Sequence, residues 1–214
     1  MSQQMDLKEA ERNVFKLAAF QDGWWDILFG GELIILSIYP ISRQAFGPAW
    51  NLVLFFVALA LLLTAVYTAK RFFVAPRIGS VKLGPNRTVR LGRVVGVTIF
   101  IATFIFFILT LNQIITKPAW PGAPAWLQNY DVDILFTLII IGFFHFLGAI
   151  YGVGRLHLYG WLMGLGNLFS TILDHELGYT FHWPMLIAGI VIVLIGVVWF
   201  ARFLRDYPAP VMEA

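Results

Sequence analysis

This 214-residue chain has no cysteine and little charge, 13% of its residues. Without a thiol there is no disulfide, no thiolate metal site and no cysteine nucleophile. A water-soluble domain keeps about a quarter of its residues charged. With half of that missing, most of this surface must face something other than water. No mid-span lysine offers a Schiff base for retinal, and no serine or paired carboxylate stands in a recognisable catalytic arrangement. The first twenty residues hold no long apolar stretch and no small-residue cleavage site, so they do not read as a signal peptide.

What is plentiful is apolar sequence: 59% hydrophobic residues, with a mean hydropathy of +0.79. Stretches of about 20 apolar residues match a bilayer core at about 1.5 Å of helix per residue. Six are legible, at 24–41, 50–69, 94–114, 132–153, 158–174 and 184–203. The expected fold is therefore all-α: a polytopic integral membrane protein with six transmembrane helices arranged as three hairpins. An N-terminal amphipathic interfacial helix precedes them over 6–20, with Asp6 and Glu9 at its start and Leu7, Ala10, Val14, Leu17 and Ala18 on one face. Residues 1–22 then form a cytoplasmic amphipathic segment, and 23–214 a transmembrane domain with a basic loop at 70–93.

Positive charge sorts to alternate connections. The N-terminal segment, the 70–93 loop, Arg155 and the tail residues Arg202 and Arg205 hold thirteen Lys and Arg; the other connections hold only Arg43 and Lys117. Basic connections stay cytoplasmic, so the chain is expected in the cell (inner) membrane with both termini in the cytoplasm. Arg71, Arg77, Lys82, Arg87, Arg90 and Arg93 are then placed to contact anionic lipid headgroups at about 1 kcal/mol per charge. Val81–Leu91, around Gly84-Pro85-Asn86, reads as a small β-hairpin on the membrane surface.

Helices in lipid associate where small residues let backbones approach. Gly148 and Gly152, and Gly160 and Gly164, stand four apart, and Gly189 and Gly196 seven apart, two turns on one face. Ionisable groups inside hydrocarbon are costly and mark candidate function. Glu32, His145 and Asn167 fall at matched depth, about 12–14 Å from the cytoplasmic edge. They suit a proton relay, a small-cation site or a polar clasp between helices. His145 reads as the one histidine deep in a span, which leaves a bis-histidine haem without its second ligand. His175, Glu176 and His182 lack the one-turn spacing of a zinc-protease motif. No catalytic, metal or cofactor site is therefore assigned.

Trp161, Pro184 and Arg202-Phe203 give the third hairpin an outline similar to that of Trp24, Pro48 and Arg71-Phe72 in the first, and the first span adds the pair Trp24-Trp25 and the glycines Gly30-Gly31. In this the chain resembles the HdeD-type family of six-helix bacterial inner-membrane proteins. The resemblance implies a six-helix fold linked to acid-stress resistance, without an established chemical activity. The 70–93 loop, Glu32 and the segment Pro118–Pro124 depart from it. Three functions stay open: a non-enzymatic stress or accessory factor, or subunit of a larger membrane complex or homo-oligomer; a small transporter or ion pathway on Glu32 and His145; and an intramembrane lipid-modifying enzyme.

Overall fold

In a computed structural model, residues 21–78 and 125–208 are described here, with side chains from 129 onward in the second stretch. The amphipathic 6–20 segment, the 94–114 span, the Val81–Leu91 hairpin, the Pro118–Pro124 segment and Lys82, Arg87, Arg90 and Arg93 lie outside these residues. Among the described residues there are only helices: α1 (Trp24–Ala69), a π-helical turn (Lys70–Val74), α2 (Ala75–Ile78), α3 (Ala125–Tyr151), α4 (Gly154–Leu177) and α5 (Trp183–Asp206). Among the described residues, three stretches are long and apolar enough to cross a membrane: Trp24–Arg77, Asn129–Tyr151 and Trp183–Asp206. Helix α4 is equally long, at 24 residues, and carries more polar side chains.

The first stretch is 54 residues long. A straight helix of that length would reach about 80 Å, against a hydrocarbon core of about 30 Å. It does not run straight. Gly47 takes φ 78° and ψ 166°, a conformation open to glycine and strained for any side chain, and Pro48 follows with no amide to donate. Beyond this break the second arm (48–69) returns alongside the first (24–46). Asn51 donates to the Tyr39 carbonyl at 3.1 Å, Ser42 hydrogen-bonds the Asn51 side chain, and the Tyr39 and Phe55 rings meet edge to face at 5.9 Å. At the other end of the arms, Lys70 reaches Asp22. The π turn that carries Lys70 lies just before Pro76, where a widened turn relieves the clash between a proline ring and the preceding turn's carbonyl.

Close packing runs through glycine. The first arm and α5 cross antiparallel with glycines facing at two levels, Gly30 opposite Gly189 and Gly23 opposite Gly196. A Cβ on Gly30 would stand 2.6 Å from the Gly189 carbonyl oxygen, and one on Gly189 would stand 2.8 Å from that of Gly30. Both pairs are seven residues apart, two turns on one face. Helices α3 and α4 pack in the same way: Gly160 lies against Phe144 and Ile141, and Gly164 against Ile141 and Thr137, whose hydroxyl donates to the Gly164 carbonyl at 3.1 Å. Gly148 faces the His157 ring. Gly152 serves the turn instead, at φ 62° between α3 and α4.

The core formed by these crossings joins Leu33, Phe144, Leu156, Tyr159, Met163, Met185, Ala188 and Ile192, drawn from the first arm, α3, α4 and α5. The second arm stays outside it, and Phe56, Leu61 and Tyr67 are more than half exposed there. Such a surface suits lipid and would be a liability in water.

Candidate functional site: a buried ionic cluster at the basic end

Asp22 and Asp26 lie one helical turn apart, around the start of α1, and both carboxylates are fully buried. Each is met by a cation from a distant part of the chain. Lys70 Nζ stands 2.9 Å from Asp22 Oδ2. Arg155 Nε stands 2.9 Å from Asp26 Oδ2 and 3.0 Å from Oδ1. Asp22 also accepts the Trp24 amide at 3.1 Å and so holds the first turn of α1. Burial pushes the Asp22 carboxyl above its ordinary value, and Lys70 opposes the shift.

Aromatic rings close the cluster. Lys70 lies over Trp25 at 5.5 Å, Arg155 over Trp199 at 4.6 Å, and Arg202 over the same indole at 5.7 Å. The Tyr159 phenol is fully buried beside Asp26 and Arg155. One end of the bundle thus gathers Asp22, Asp26, Lys70, Arg155, Tyr159 and Trp199 from four helical segments. A carboxylate held by a cation in a dry site is a poor nucleophile or base. It is a good fastener, since removal of either partner strands a charge.

The triad expected from matched depth is distributed differently. Glu32 is half-buried on the first arm and makes no hydrogen bond or ion pair among the described residues. His145 donates from Nδ1 to the Ile141 carbonyl at 2.9 Å, and its ring meets Trp161 and His157, with centroids 6.1 and 4.7 Å apart. His157 is thus a second histidine touching His145 that the sequence reading had left just outside its span. Asn167 is half-buried on α4, and its backbone carbonyl accepts from Thr171. The recorded contacts of these residues join His145 to His157 and do not join Glu32, His145 and Asn167 to one another. Arg71 is exposed, and Arg77 donates to the Phe73 carbonyl at 2.6 Å.

At the far end, Tyr130 donates to Glu176 at 2.6 Å with His175 alongside, and that bond draws the Glu176 carboxyl below its ordinary value. Asp131 and Asp133 stand inside α3, and Asp133 accepts from Thr171 of α4 at 3.2 Å. No group of three His, Cys, Asp or Glu side chains that could hold a metal exists among the described residues.

Asp22, Asp26 and Tyr159 went unread as a site in the sequence, and Lys70 and Arg155 were read only as topology markers. The available signal was the pair of acids four apart at the start of an apolar run, at the same depth as the otherwise isolated Arg155.

No family model matches the chain, and neither a curated protein nor a solved structure matches it.

Proposed function

We propose that this is a non-enzymatic, multi-pass protein of the inner membrane, with six spans in three hairpins, its basic end and both termini in the cytoplasm, acting as an accessory factor or as a subunit of a larger membrane complex. One observation carries the reading. The two fully buried carboxylates among the described residues are matched to cations of the same chain, Asp22 to Lys70 and Asp26 to Arg155, each at 2.9 Å. A transport route needs charges that a substrate can reach, and a lipid-modifying enzyme needs a free acid or base at the interface. Here those groups fasten helices instead, and glycine contacts bring α5 onto the first arm backbone to backbone. The exposed second arm supplies an apolar flank for lipid or for another membrane subunit. Anionic headgroups are the natural partners of Arg71 and Arg77.

Glu32 favours a second reading, a proton or cation pathway with His145, because its carboxylate makes no hydrogen bond or ion pair among the described residues. Reconstituted vesicles separate the two. The accessory reading expects the same passive proton and cation leak from wild type and Glu32→Gln. A pH-dependent flux in wild type that the substitution abolishes would replace it with the transport reading.

A further inference from the structure

Helix α5 carries two adjoining cavities that meet the fastening cluster at Trp199. One, of about 400 Å³, is an apolar groove along Val191, Leu194, Ile195 and Val198 that ends at Trp199 and Arg202. The other, of about 330 Å³, is a polar cleft bounded by Gln21, Arg205, Asp206 and the same Trp199 and Arg202. The shared walls make them one feature with an oily half and a cationic half. The two halves succeed each other along a helix apolar enough to cross a membrane.

The cationic half has charge to offer. Arg155 and Arg202 both lie over the Trp199 indole, but Arg155 is matched by Asp26 at 2.9 Å. Arg202 has no carboxylate within ion-pair distance among the described residues. Asp206, the one acid among the described residues that line the cleft, lies 3.2 Å from Arg205. Two arginines thus face one carboxylate in the cleft. An indole beside them sits where amphipathic rings collect at a membrane interface. A free anion would need only the cleft, and a hydrocarbon chain only the groove.

We infer that this feature binds one anionic phospholipid of the cytoplasmic leaflet, its phosphate at Arg202 and Arg205 and an acyl chain along the Val191–Val198 groove. The inference rests on the membrane reading above and names one partner for it. The groove spans eight residues, about 10 Å of helix axis, enough to hold the first part of a chain beneath its headgroup.

The test uses the full-length chain purified in detergent, with retained lipid counted by native mass spectrometry. One phosphatidylglycerol should be held per chain, in about fivefold preference to phosphatidylcholine. Arg202→Gln should reduce retention about fivefold. Val198→Trp should do the same by filling the groove with both arginines in place. Both positions are exposed, so an unchanged thermal midpoint is expected, and Arg43→Gln at the far end should retain lipid like wild type. Retention unaltered by either variant would overturn the site. So would equal retention of the two lipids, or competition by glycerol 3-phosphate as effective as by the lipid. A chain that inserts into phosphatidylglycerol vesicles yet holds no lipid sinks the site alone; one that fails to insert sinks the membrane reading as well.

Discussion

Asp26 and Arg155 are 129 positions apart in sequence and 2.9 Å apart in space. Their contact ties the first arm of α1 to the first turn of α4, two elements with few other direct contacts. Charges withdrawn from water cost several kcal/mol each, and mutual attraction returns this only while both are present. Arg155→Met alone should therefore lower stability by about 3–5 kcal/mol, and Asp26→Leu by a similar amount. The double variant should recover most of that loss, because it strands no charge. Unfolding midpoints in a denaturing-detergent titration close the cycle. If the two single losses simply add in the double variant, the pair does not act as a unit.

The reciprocal contact of Gly30 and Gly189 makes a sharper steric prediction. A methyl at either position would enter the other's carbonyl, at 2.6 and 2.8 Å. Backbone on a packed helix cannot yield as a side-chain tip can, so Gly30→Ala should cost about 1–3 kcal/mol. Gly142 is the internal control: it is helical and exposed, and a Cβ there meets nothing within 4 Å. Gly142→Ala should be neutral or stabilising by up to about 1 kcal/mol. Thermal midpoints of the two variants in one detergent decide it; equal midpoints would mean that the α1–α5 crossing is not tight.

The difference between these residues shows what could be read from sequence. Length and hydropathy made α1, α3 and α5 legible as membrane-length helices, because burial in lipid demands continuous apolar sequence. The reversal at Gly47-Pro48 was legible for a similar reason, since few other residue pairs adopt that backbone. Rotation about each helix axis was not legible. Matched depth grouped Glu32, His145 and Asn167, whereas the contacts of His145 go to His157 and Trp161. Arg155 was read only as a topology marker and Asp26 not at all, because hydropathy does not say which side of a helix faces a neighbour. Depth is a one-dimensional property that a sequence carries; facing depends on packing partners that a single chain pattern does not specify.

Asp22 gives a pH dependence whose sign can be worked out. Burial raises its folded-state carboxyl above the ordinary 3.8. The folded chain therefore binds this proton more readily than the unfolded one. The contribution to stability is full below pH 3.8 and declines as pH rises through the folded-state value. Asp22→Asn keeps an acceptor for the Trp24 amide and removes the titration. Melting curves from pH 3.5 to 7 should show wild type losing stability relative to Asp22→Asn as pH rises. The reverse trend would mean that Lys70, at 2.9 Å, outweighs desolvation.

Sidedness can be measured directly, because the chain has no cysteine to remove first. Ser80 follows α2 at the basic end, within the 70–93 loop, and Gln44 is exposed beside the Gly47 turn. The charge asymmetry of thirteen Lys and Arg against two puts the first in the cytoplasm and the second outside. In intact cells a membrane-impermeant maleimide should label Gln44→Cys and spare Ser80→Cys until the membrane is opened. Gln44 is exposed, so its substitution should leave the fold intact. Labelling of Ser80→Cys in intact cells would invert the orientation. It would also move Arg202 and the α5 groove to the leaflet where anionic phospholipid is scarce, and remove the electrostatic reason for a lipid there.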